Sequence, residues 1–244
     1  MPHARIVRRV MILAHLALLG ALAPAGVVRA APSCRVPSSL PVPHPEEPST
    51  DQPRRLLPIG GYTLALIWSP QQCRSGASGA EGIACDDARG FVLHGLWPDG
   101  KGRDWPQYCR PAAILPAATL RAHYCATPSA QLLQHEWAKH GTCMPGQTPE
   151  RYFALSNRLF ARIRSPDMGA LSRRPGLTAG GFAQAFAVAN SGLRADMIRL
   201  NIDRAGWLGE VWLCLDTAFR PQRCPATQGG ASGAAPMQIR PPMD

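Results

Sequence analysis

Eight cysteines in 244 residues constrain this chain more than any other feature. They stand at Cys34, Cys73, Cys85, Cys109, Cys125, Cys143, Cys214 and Cys224, all beyond a start with the marks of an export signal. Arg5, Arg8 and Arg9 make a basic beginning, and an apolar run follows from Val10 to Leu22. Val28-Arg29-Ala30 then ends on the small residue that a signal peptidase accepts. Pro24 and Gly26 break the run, which is too short to span a bilayer well. Residues 1–30 are therefore expected to be a signal peptide, and the protein to be secreted or periplasmic. An even cysteine count behind such a signal argues for four disulfides in an oxidising compartment. No CxxC pair exists, which weakens a zinc reading. Spacing alone fixes none of the roughly one hundred possible pairings.

Between that start and the rest of the chain lies a stretch that should form neither helix nor strand. Pro32, Pro37, Pro41, Pro43, Pro45, Pro48, Pro53 and Pro58 make residues 31–58 a linker or extended arm. Folding is expected over 59–226. Tyr62–Trp68 reads as a buried strand ended by Ser69-Pro70. Residues 73–90 read as a Gly- and Ser-rich loop stapled by its cysteines. Gly90–Leu96 reads as a second strand, closed by the turn signature Trp97-Pro98-Asp99-Gly100.

The period then changes. Pro128-Ser129 can start a helix that runs through Lys139, with Gly141 as its stop. Thr148 caps another helix with Pro149 in its first turn, and Phe153, Leu155, Leu159, Phe160 and Ile163 fall roughly on one face. Thr178–Asn190 is a third helix, weakened by Gly180 and Gly181. Met197–Ile202 and Trp207–Leu215 read as strands of a hairpin. Residues 227–244 are rich in Gly, Ala and Pro and are expected to fray as a flexible tail. Strands and helices mix without strict βαβ alternation. The expected class is α+β: a central antiparallel sheet with several packed helices in a single disulfide-stapled domain.

The formal charge is +10, and the four arginines of the first thirty residues, with no acids among them, leave about +6 beyond. A basic exported protein fits a polyanionic partner such as nucleic acid or an acidic envelope, although ordinary solubility would account for the same charge. Arg162, Arg164, Arg173 and Arg174 read first as a solvated face. Trp68, Trp137 and Trp212 sit in apolar segments and read as core.

Two short segments carry the chemistry: Phe91-Val92-Leu93-His94-Gly95-Leu96-Trp97-Pro98, and His135-Glu136-Trp137-Ala138-Lys139-His140-Gly141-Thr142-Cys143. On a helix, residues 135, 136, 139 and 140 share a face, so His135, Glu136, Lys139 and His140 stand together while Trp137 and Ala138 bury. Zinc hydrolysis would want histidines four apart. Here they are five apart, and Lys139 takes the ligand's place. Metal-free cleavage of a phosphodiester beside a 2′-hydroxyl needs a base for that hydroxyl, an acid for the leaving oxygen, and cations for the phosphorane. Histidine suits both proton roles. Lys139 and protonated His135 can supply charge, and Glu136 can orient and charge an imidazole, most naturally His140 at i+4.

Both segments resemble the signatures of the ribonuclease T2 family, His-Gly-Leu-Trp-Pro and His-Glu-Trp-x-Lys-His-Gly, which stand here intact. The likeness extends to Leu64–Pro70, to Trp105-Pro106-Gln107-Tyr108-Cys109 and to Glu210–Asp216. The resemblance implies an endoribonuclease that cuts single-stranded RNA to 2′,3′-cyclic phosphates and later to 3′-phosphates, with low base specificity and no cofactor or metal. It implies His140 as base and His94 as acid, Glu136 and Lys139 as transition-state stabilisers, His135 as a phosphate ligand, and Trp97 and Asp99 as base-pocket residues. It also implies Cys109–Cys143 and Cys214–Cys224. Cys73–Cys85 is compatible with it, with Cys125 reaching back toward the N-terminal side and Cys34 loosely coupled or intermolecular. The expected partner is RNA. DNA lacks the 2′-hydroxyl and should not be cut. Neither membrane binding nor a subunit partner is expected, so the protein should be a monomer. The rival is a binding protein that engages RNA without cutting, which would not need two titrating imidazoles.

Overall fold

The strand Ile59–Trp68 (β1) is apolar on both faces, and from Tyr62 onward every residue is buried. That places it in the middle of a sheet covered on both sides. The computed structural model describes Met1 and residues 34–74, 82–85 and 90–242; the expected signal peptide lies outside the described residues. β1 pairs antiparallel with Phe91–Gly100 (β2) on one side and with Leu208–Leu215 (β4) on the other. Ile198–Ile202 (β3) closes the far edge, for an order β2-β1-β4-β3. β3 and β4 form the expected hairpin, with Gly206 at φ 84° in its turn, a conformation that glycine adopts without Cβ strain.

Period-2 alternation divides the sheet into two faces. Leu64, Leu66, Leu93, Leu96, Leu200, Val211 and Leu213 belong to the main core. The opposite face carries Thr63, Trp97, Asp99, Asn201, Glu210 and Trp212, as the pairings Thr63↔Trp97 and Asn201↔Glu210 require.

Among the described residues six α-helices complete the class expected from sequence. Ser69–Arg74 (α1) opens at the Ser-Pro pair that ends β1. Ala117–His123 (α2) and Met168–Ser172 (α5) are short and had no sequence signal long enough to read. Ala130–Lys139 (α3) is capped by Ser129, whose hydroxyl accepts from the Leu132 amide at 3.1 Å. Pro149–Phe160 (α4) starts at the Thr148 cap with Pro149 in its first turn, and Ala179–Ala189 (α6) at the Thr178 cap. Phe182 and Phe186 of α6 and Tyr152 and Phe153 of α4 fill the core beneath the sheet.

Four disulfides join all eight cysteines: Cys34–Cys125, Cys73–Cys85, Cys109–Cys143 and Cys214–Cys224. Cys34 is therefore an intramolecular partner of Cys125, not loosely coupled or intermolecular.

Two segments differ from the sequence expectation. Residues 227–242 do not fray. Met237 and Ile239 are buried in the main core, Ala231 donates to Leu200 O at 2.8 Å, and Gly180 donates to Gly233 O at 2.8 Å. Two apolar side chains within a Gly/Pro-rich stretch outweigh its composition once a core edge receives them. The arm from Cys34 to Pro58 has no helix or strand, as expected, yet it is pinned along its length. Arg121 donates to Pro37 O at 2.7 Å, Gln107 to Pro53 O at 2.7 Å, and the Arg55 and Gln107 backbones exchange hydrogen bonds at 3.0 Å.

Candidate active site

A cleft of about 600 Å³ opens over the polar face of the sheet and the C-terminal half of α3. All seven residues singled out from sequence line it: His94, Trp97, Asp99, His135, Glu136, Lys139 and His140.

His94 enters through an irregularity in β2. Gly95 pairs with Ala65 and Leu93 with Leu66, so His94 is the extra residue of a one-residue irregularity in the register. Such a bulge re-aims a side chain, here toward the cleft. The ring is gripped on both sides. Its Nδ1 lies 2.5 Å from Glu210 Oε1, and its Nε2 lies 3.5 Å from Glu136 Oε1. Glu210 is itself fixed by Trp212 Nε1 at 2.7 Å and Asn201 Nδ2 at 3.2 Å. Burial raises the Glu210 carboxyl, but the His94 hydrogen bond and charge, with Asn201 and Trp212, outweigh it and hold the group below its ordinary range.

Glu136 is 1% exposed, and its Oε2 accepts from Trp97 Nε1 at 2.8 Å and Tyr152 Oη at 3.4 Å. The carboxylate reaches across to His94 rather than serving the i+4 histidine expected from helical spacing. The helix ends at Lys139, and His140 is its C-cap, still in the αR region with its amide donating to Glu136 O at 3.1 Å. Gly95 makes the approach possible, since a Cβ there would collide with the Glu136 carboxylate.

His140 is 5% exposed and stacks on Trp97 with centroids 5.4 Å apart. A 3-10 turn, Gly141–Cys143, follows it, and the Cys109–Cys143 disulfide ties that turn to residues 105–110. His140 Nδ1 is enclosed and meets no hydrogen-bond partner among the described residues. Burial, then the nearby Lys139, His135 and His94, push this imidazole well below its ordinary range, so it is held neutral. Trp97 lies edge-on to His94 at 4.9 Å and against His140. Its half-buried indole thus lies between the two imidazoles and braces Glu136.

Asp99 accepts from Thr63 Oγ1 at 2.8 Å, and Gln228 of the C-terminal segment donates to the same hydroxyl at 2.8 Å. Burial pushes its carboxyl up to about 6, against the Thr63 hydrogen bond. His135 sits at the cleft edge, with Nδ1 3.1 Å from Glu46 Oε2. His135, Glu136 and His140 offer ligand atoms within 4.8 Å of one another, close enough to share an ion. The Glu136 carboxylate is already engaged by Trp97 and Tyr152, and Lys139 lines the same cleft.

Sequence reading missed Glu210, Glu46, Gln228 and Trp105, which also line or back the site. Trp212, expected in the core, is half-buried at the cleft. Trp105 is 42% exposed and backed by the Arg55 guanidinium at 4.7 Å. An exposed aromatic beside an acid–base site was the one available signal for it. Glu210 had none, because a single acidic residue in an apolar strand names no partner.

The fold and cleft define a disulfide-stapled α+β protein with an acid–base centre built on one sheet face. Trichomaglin, described as an S-like ribonuclease, shares this fold: TM-score 0.57 over 74% of this chain and 98% of that one, at 21% identity. The Ribonuclease T2 family model matches residues 59–174. A ribonuclease of Aeromonas hydrophila is 34% identical over 163 residues, covering 64% of this chain and 71% of that protein. A probable ribonuclease of Haemophilus influenzae is 33% identical over 124 residues, 45% of each chain. The chain belongs to the ribonuclease T2 family, and its class of activity is that of an endoribonuclease.

Proposed function

We propose that this protein cuts single-stranded RNA by metal-independent transphosphorylation. Neutral His140 removes the proton of a 2′-hydroxyl, and O2′ attacks phosphorus. As the P–O5′ bond breaks, protonated His94 gives its Nε2 proton to the departing O5′, leaving a 2′,3′-cyclic phosphate. Water then opens the ring to a 3′-phosphate with the proton roles reversed. Lys139 and His135 offset the phosphorane charge, and Glu136 holds His94 and Trp97 in register. Glu210 is a positioning residue: it fixes the His94 tautomer and stabilises the imidazolium. Trp105 and Asp99 receive bases, and the flat face of Trp105 fits low base specificity because every base can stack on it. No cofactor enters the scheme.

The observation that carries this reading is the opposed setting of the two imidazoles. One is gripped by carboxylates, the other is enclosed and neutral. The four disulfides and the N-terminal signal-like segment support an oxidising, secreted or periplasmic location. Among the described residues no helix is long and apolar enough to cross a membrane. A monomeric state completes the reading.

His94→Ala and His140→Ala test it. Each should lower kcat by about 10²–10⁴-fold on an RNA substrate while the thermal midpoint stays within a few degrees. Near-parental activity in either variant would remove that residue from the proton-transfer pair.

A further inference from the structure

The proposed chemistry makes no use of the N-terminal arm, yet the arm places a carboxylate on one of its histidines. Gln131 and His135 lie four apart on α3, one turn above the other. Both are engaged by residues 44–46. The His44 amide donates to Gln131 Oε1 at 2.7 Å, Gln131 Nε2 donates to Glu46 Oε1 at 2.6 Å, and Glu46 Oε2 lies 3.1 Å from His135 Nδ1. Pro43 is buried beside them, and the Cys34–Cys125 disulfide anchors the arm's beginning. Glu46 and Gln52 line the same cleft as His94 and His140. The arm is thus a wall of the cleft rather than a tether leading to it.

We propose that Glu46 is a positioning residue of the phosphate subsite: it accepts the Nδ1 proton of His135 and so leaves Nε2 free to meet a phosphate of the RNA as a cationic donor. This rests on the reading of His135 as a phosphate ligand. An imidazole whose Nδ1–H is spoken for has its other nitrogen, and the ring plane, fixed. The surroundings make the carboxylate necessary. Burial, with Lys139 on its own helix and His94 on β2, holds the His135 imidazole below its ordinary value even though Glu46 opposes them through its hydrogen bond and its charge, so without Glu46 it would fall further. His140, 6.4 Å away between ring centroids, and the adjoining Glu136 also stand beside it, and Tyr108 faces Glu46.

The test uses the oxidised full chain with inorganic phosphate as competitive inhibitor and a dinucleoside monophosphate as substrate. Glu46→Gln should raise both KM and the phosphate inhibition constant about three- to tenfold, with kcat changing less. Both constants should also begin to climb at a lower pH than in the parent, because removing the carboxylate leaves burial and the surrounding cations unopposed. Gln131→Leu, which releases the anchor of Glu46, should raise the same constants by less. Combining Glu46→Gln with His135→Ala should add nothing to His135→Ala alone. Phosphate inhibition with parental strength and parental pH dependence in Glu46→Gln would overturn the proposal, and so would a fall in KM, which would make the carboxylate a block. If His135→Ala loses phosphate inhibition while Glu46→Gln keeps it, only the role of Glu46 fails. If His135→Ala keeps it, the reading of His135 as a phosphate ligand fails as well.

Discussion

His94 and His140 are one side chain in two opposite environments, and the contrast supports the proposed division of their roles. A base must be neutral to accept a proton, and burial without a partner for Nδ1 keeps His140 neutral well into acid. An acid must be charged to give one, and carboxylates at 2.5 Å and 3.5 Å favour the charged form of His94. The signs set the pH profile. Activity rises with pH while His140 loses its proton and falls once His94 loses its own, so kcat/KM should be bell-shaped, with its acidic limb below the ordinary histidine value of about 6.5. A dinucleotide assayed from acid to alkaline pH would show both limbs; a flat profile would contradict the pairing. Glu210→Gln keeps the shape but removes the charge behind His94. Its kcat should fall by roughly 10²-fold, less than for loss of His94, and the alkaline limb should move to lower pH. The sequence made His94 and His140 visible as chemistry-bearing residues, but not Glu210, because the pairing depends on where β4 lies beside β1.

At the scale of elements, the decisive feature is the irregularity in β2. The sequence marked a strand over Gly90–Leu96 and a turn after it. The turn signature was overruled, since Trp97–Gly100 continue to pair with β1 as far as Gly100↔Ile59. Pro98 is tolerated because β2 is an edge strand with one side unpaired. A one-residue bulge leaves no trace in hydrophobic periodicity, so the route by which His94 and Trp97 both reach the cleft was not legible. The helix fared better: Ser129 caps it and Trp137 and Ala138 bury, as the spacing required. Its last step did not: His140 still follows the helical path, but the Glu136 carboxylate is drawn to Trp97, Tyr152 and His94 instead. Gly95 is where strand and helix meet most closely. Gly95→Ala should displace the Glu136 carboxylate and cost about 10²-fold in kcat, since misplacement on the order of 1 Å can do so. Steady-state rates together with a thermal melt would check this. Unchanged kcat in a folded variant would mean that the helix yields without harm to the site.

Over the whole molecule, composition misled where the core could recruit it. The segment after Cys224 is poor in apolar residues, yet Met237 and Ile239 enter the core and Gln228 reaches Thr63 behind Asp99. The arm before Ile59 was legible as extended and nothing more, because a proline-rich stretch states how it runs but not what it lies against. Its attachment comes from Cys34–Cys125, a loop closed over 91 positions that no spacing rule could pair. The arm and the segment after Cys224 thereby both line the cleft. In the proposed mechanism this cleft cleaves RNA through its own acid–base pair and the substrate's 2′-hydroxyl. The most direct measurement is incubation of oxidised protein with single-stranded RNA in excess EDTA, with the product ends identified and single-stranded DNA run alongside. RNA should yield 2′,3′-cyclic phosphate ends, undiminished by EDTA, and DNA should stay intact. Loss of cleavage on chelation, or cutting of DNA, would contradict this mechanism.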